Sequence, residues 1–75
     1  MNQGQEMFYN FFIERTKDDK KEEAKKLLME GFARQEEGTF DKEYLQEIMP
    51  QYFELIKPDA VEELNQAMQH FESRL

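Results

Sequence analysis

The apolar positions of the chain fall into runs with helical spacing, separated by polar or turn-forming stretches. The widest apolar face belongs to Phe40–Lys57, FDKEYLQEIMPQYFELIK. At ~100° per residue, Tyr44, Leu55, Ile48, Tyr52, Leu45, Ile56 and Met49 cover about half the circumference, with Phe53 at the edge. Glu43, Glu47, Gln46, Gln51, Glu54 and Lys57 share the other side. An arc that wide is more than one neighbouring helix covers, so the pattern predicts the central helix of a small bundle. Thr39 or Asp41 caps its start, and Glu43 lies near its positive end. Pro50 falls on the polar side, where loss of one backbone hydrogen bond bends a helix around its core. A kink near Glu47–Pro50 is therefore predicted, with two short helices meeting at Met49-Pro50 as the alternative.

The other runs are narrower. Residues 1–5 read as loose, and a first helix follows over about Glu6–Arg15. Its Met7, Phe8, Tyr9, Phe11, Phe12 and Ile13 spread over roughly two-thirds of the wheel. Aromatic residues also favour strands, but the spacing lacks strand alternation and no partner strand is evident. Thr16–Glu23 has no apolar residue, and Thr16 with Asp19 resembles a capping pair. A break there is favoured over one continuous helix from Glu6 to Gln35, because nothing between Ile13 and Ala24 can pack. The second helix, about Lys17–Glu36, carries Ala24, Leu27, Leu28, Gly31, Phe32 and Gln35 on one stripe, leaving Met29 and Ala33 exposed. A glycine inside a helix costs about 1 kcal/mol relative to alanine, so Gly31 implies close approach of a neighbouring helix or aromatic ring. Gly38 suits a left-handed stop. Pro58 opens the last helix, about Pro58–Arg74, whose Val61, Leu64, Met68, Phe71 and Leu75 form a bundle seam flanked by Ala60 and Ala67.

These elements predict an all-α fold: three main helices plus a short aromatic N-terminal helix, in a single domain over residues 1–75. So small a domain buries only roughly 60% of the surface its unfolded chain exposes and usually needs a staple. With no cysteine and one histidine, disulfides and structural zinc are poor candidates. Packing or oligomerisation remains, and seven Phe and three Tyr suit either.

Charge changes the picture in one respect. The net charge is −7, and residues 36–75 carry all of it, residues 1–35 being balanced. An acidic surface repels phosphate backbones and anionic lipid, so neither nucleic acid nor membrane is expected as a partner. The six basic residues from Arg15 to Lys26 are interleaved with acids and read as helix-stabilising ion pairs. No stretch approaches the ~20 apolar residues of a membrane span, MNQGQE lacks a basic signal-peptide start, and a cytoplasmic location is expected.

Little chemistry is legible. His70 lies off the apolar seam with Ala67 three positions before it, and reads as a solvated surface residue. The adjacent acid pairs (Asp18-Asp19, Glu22-Glu23, Glu36-Glu37, Glu62-Glu63) point about 100° apart on a helix and make no chelating pair. EEGTFDKEY lacks calcium-loop spacing, and there is no Glu-x-x-His pair or glycine-rich phosphate loop. No catalytic, cofactor-binding or metal-binding residue, and no small-molecule substrate, is expected.

The segment EEGTFDKEYLQEI resembles the turn of short bacterial helical-hairpin modules of the SHOCT type, in its glycine, apolar, capping and acid-aromatic positions. The resemblance covers about a dozen residues, Pro50 and the next helix depart from it, and it implies no function.

The function expected is a protein–protein interaction module, associating with itself as a homodimer through Phe8, Tyr9, Phe12 and Ile13, because the first helix is too apolar for so small a chain to cover. Against this stands the reading that helix 1 simply plugs the groove between the others. A different class is an acidic antagonist that binds a basic protein through Glu43, Glu47, Glu54, Glu62 and Glu63.

Overall fold

The computed structural model describes residues 1–74, and those residues form a four-helix bundle. The helices are α1 (Gln3–Arg15), α2 (Lys21–Glu37), α3 (Lys42–Leu55) and α4 (Val61–Glu72). One-turn 3-10 helices, Asp18–Lys20 and Pro58–Ala60, lead into α2 and α4. The aromatic helix α1, at 13 residues, is a full member of the bundle beside the 14 residues of α3 and the 12 of α4.

Side chains fasten both ends of α1. Asn2 Oδ1 accepts from the Gln5 amide at 2.8 Å while Gln5 Oε1 accepts from the Asn2 amide at 3.1 Å, a reciprocal capping box. Gln5 Nε2 then donates to Gln35 Oε1 of α2 at 2.7 Å, so both ends of this buried amide are satisfied. Residues 3–5 are therefore helical and anchored, where the sequence suggested a loose end. The last carbonyls of α1 are also taken by side chains. Arg15 donates to Phe11 O at 3.0 Å, Thr16 Oγ1 to Phe12 O at 2.7 Å, and Lys21 Nζ to Ile13 O at 2.8 Å. Thr16 thus closes the helix before it instead of capping the one after it, and the expected Thr16–Asp19 pair gives way to that bond.

The break between α1 and α2 is as expected. So is the left-handed stop at Gly38 (φ 76°), where the Gly38 and Thr39 amides reach back to Gln35 O and Arg34 O. Asp41, not Thr39, caps α3, accepting from the Tyr44 amide at 2.9 Å. Pro50 is exposed and α3 runs through it without chain reversal, consistent with a kink. A side chain at Gly31 would place its Cβ 3.1 Å from Tyr52 Oη and 3.6 Å from the Phe40 ring, so the close aromatic approach inferred from that glycine is real. In the last helix the 3-10 turn shifts the phase: Ala60, Leu64 and Met68 are buried, and Val61 is 39% exposed instead of seated in the seam. Phe71 is half-buried, and Leu75 lies outside the described residues.

The bundle is built from two helical hairpins of similar pattern. Glu14-x-x-Lys17-x-Asp19-x-x-Glu22-Glu23 and Glu54-x-x-Lys57-x-Asp59-x-x-Glu62-Glu63 share spacing and identities at a shift of 40 positions (54 − 14). Each segment carries the same sequence of helix, extended residue, 3-10 turn and helix. Burial repeats too: Gln5 with Leu45, Phe12 with Tyr52, Thr16 with Ile56, Ala24 with Leu64, and Leu28 with Met68 are buried in both halves. The halves meet where their connectors cross. Thr16 and Ile56 form an antiparallel bridge, with the Lys17 amide donating to Leu55 O at 2.9 Å and the Lys57 amide to Arg15 O at 2.8 Å. Beneath that bridge the equivalent rings of Phe12 and Tyr52 pack edge to face, 5.2 Å between centroids.

Candidate interaction face

A largely apolar face lies where the first half of α1 meets the second half of α4. Phe8 is its hinge residue. Its ring packs edge-on against Phe71 of α4 at 5.1 Å and is stacked with Phe11 at 6.1 Å. Helical spacing places Met7 and Phe11 on the same outer flank of α1, and Met7 stands 66% exposed. Arg15 lies over the Phe11 ring at 4.1 Å and forms an ion pair with Glu63 of α4 at 3.1 Å. Two open hollows of about 670 and 480 Å³ flank this ridge and share Met7, Phe8, His70 and Phe71. The larger is completed by Gly4, Gln5 and Gln35, with Glu36 and Arg74 also in its wall.

The residues expected to interact separate here. Phe12 is fully buried, at 0% exposure, under Phe8 and Tyr52. It is a core residue and no part of a surface. An aspartate at Phe12 would bury a charge and unfold the chain, not dissociate an assembly. Phe8, Tyr9 and Ile13 are half-buried and packed against the core. Phe8 belongs to the face just described; Tyr9 and Ile13 line neither hollow. The plugging role considered for helix 1 thus describes Phe12. Met7, Phe11, Ala67 and Phe71 line the face but are not among the interacting residues expected from the sequence. For Met7 the 40-position repeat carries the signal, since it pairs Phe12 with the core tyrosine Tyr52 and Met7 with the exposed glutamate Glu47.

His70 is exposed at the rim, and the acids proposed for a basic partner (Glu43, Glu47, Glu54, Glu62, Glu63) are all exposed on α3 and α4, with Glu63 engaged by Arg15. Two helix pairs, Lys20–Glu23 at 3.7 Å and Glu22–Lys25 at 3.6 Å, use the charges of the polar stretch. Among the described residues no three potential metal ligands converge, and no helix is long and apolar enough to cross a membrane.

A second feature lies between α2 and α3. The Tyr44 ring is held edge-on by Phe40 at 5.0 Å and covered by the Arg34 guanidinium at 4.2 Å. Its buried hydroxyl has no hydrogen-bond partner among the described residues. Burial, reinforced by the negative charge of Glu30, raises the Tyr44 pKa above the ordinary tyrosine value. An unpaired buried hydroxyl costs about 1–3 kcal/mol, whereas phenylalanine keeps the ring contacts. Tyr44→Phe is therefore expected to stabilise the fold by about 1 kcal/mol in urea titration. A loss of stability would show that the hydroxyl is satisfied in solution.

Compared with protein-family models, curated proteins and solved structures, the chain matches none.

Proposed function

We propose that the chain is a protein–protein interaction module that associates with itself through its N-terminal aromatic helix. The observation that supports this reading is Met7, 66% exposed on a ridge it shares with the half-buried rings of Phe8 and Phe11. Phe12 already supplies the anchor of α1 in its own core, so the exposed Met7 beside it adds apolar surface that this core does not use. Covering a methionine is worth about 1.5–3 kcal/mol, and a symmetric pair gains it twice. A methionine also adapts its shape to a partner at little strain.

Light-scattering mass across a range of concentrations, in low and high salt, tests the proposal. A dimer that persists in both is the expected result, since apolar contacts are not screened. A monomer at every concentration overturns it. Association that vanishes in high salt would instead turn attention to the acidic faces of α3 and α4.

A further inference from the structure

The two similar hairpins place two clefts in equivalent positions of the bundle. Shifted by 40 positions, Met7 becomes Glu47, Phe11 becomes Gln51 and His70 becomes Glu30, and all three of these are exposed. The α3–α2 cleft therefore occupies the same place in the repeated hairpin as the α1–α4 cleft, but carries solvated charge. The fold accepts glutamate at the position equivalent to Met7, so an apolar side chain that stands 66% exposed there answers to something other than the fold.

Building on the self-association proposed above, we infer that the α1–α4 cleft is the contact surface, and that its occupant is the same cleft of a second copy in a closed two-fold dimer. Three features select that occupant. The face holds both a projection, Met7, and an adjoining hollow walled by Gly4, Gln5, Gln35 and Phe71. Two-fold pairing requires such self-complementarity, each copy's projection entering the other's hollow. Charge is the second feature. On a chain of net charge −7, two copies repel unless they meet where carboxylates are compensated. Here Arg15 holds Glu63, and the hollow's one acid, Glu36, shares its wall with Arg74 and His70. A basic partner would be drawn to the uncompensated acids of α3 instead. Finally, only one of the two equivalent clefts is apolar. A chain with one sticky face pairs and stops, whereas two would propagate into a filament.

The test borrows the residues that the equivalent cleft already carries. Wild type, Met7→Glu and the double variant Met7→Glu/Phe11→Gln are compared by sedimentation equilibrium, with far-UV circular dichroism as the check on folding. The wild type is expected to reach dimer mass and go no further. Both variants should keep wild-type helicity and dissociate at least roughly a hundredfold more readily, each dimer losing two apolar contacts. Should the double variant lose helicity, Met7→Glu alone decides, because a side chain 66% exposed is not needed by the fold. A variant Met7→Glu that dimerises like wild type overturns this surface while leaving self-association standing. Assemblies larger than two overturn the closed geometry, and a wild-type monomer at all concentrations overturns the inference together with the reading it rests on.

Discussion

Phe12→Ala is expected to leave the chain largely unfolded at room temperature or to lower its melting temperature by at least about 15 °C. Removing a fully buried phenylalanine costs about 3–5 kcal/mol where the surroundings cannot collapse into the space. Collapse is difficult here. Phe12 is enclosed by Phe8 at 6.0 Å and Tyr52 at 5.2 Å, and its own carbonyl is tied by Thr16 Oγ1 at 2.7 Å. A chain of this size has roughly 4–11 kcal/mol of total stability, at about 0.05–0.15 kcal/mol per residue. One side chain thus accounts for a large part of it, and each kcal/mol moves the midpoint by about 4–8 °C. Thermal melting followed by circular dichroism gives the answer. A loss under about 1 kcal/mol would mean that the Phe12 site is far softer than its burial indicates.

Alkali should unfold the protein, through Tyr52. Its ring is 3% exposed. Burial first, then the negative charges of Tyr44 and Glu30, push its pKa well above the ordinary value near 10, and Tyr44 is raised in the same direction. In the folded chain both phenols hold their protons at a pH where the unfolded chain has released them. Their contribution is fully present below about pH 10, the unfolded value, and is lost as pH rises through the folded pKa. Each such group removes up to about 1.4 kcal/mol per pH unit in that window. Loss of helical signal should coincide with a cooperative rise in tyrosinate absorbance, and Tyr52→Phe should move the transition to higher pH. Tyrosinate appearing near pH 10 for every tyrosine while helicity stays intact would refute this.

The elements were legible in the sequence wherever a local signal set them. Gly38 needs a left-handed conformation, Asp41 caps the helix that follows it, and Pro58 opens the last one. Those effects act within a few residues and survive without tertiary context. Burial was harder. The wheel of α1 is apolar on most sides, so amphipathicity could not say that Phe12 faces in while Met7 faces out. The N-terminus was misread because Gln5 is held by a long-range bond to Gln35, which no local pattern announces. Val61 looked like a seam residue until the preceding 3-10 turn rotated Ala60 into its place. The missed signal was the repeated Glu-x-x-Lys-x-Asp-x-x-Glu-Glu, visible in both halves but split between a polar gap and a turn.

The crossing of the connectors governs how the molecule comes apart. Lys17 bonds only to the second half and Lys57 only to the first through these amides, while Thr16 and Ile56 are sealed beneath at 0% and 1% exposure. Neither hairpin can open its inner end without stripping the other of a backbone hydrogen-bond partner. Loosening at the bridge is therefore felt in both halves at once, whereas fraying at the outer ends of the helices is not. Two hairpins so joined are expected to open together at their connectors, so that cleavage there by a protease should be slower than at the outer ends of the helices.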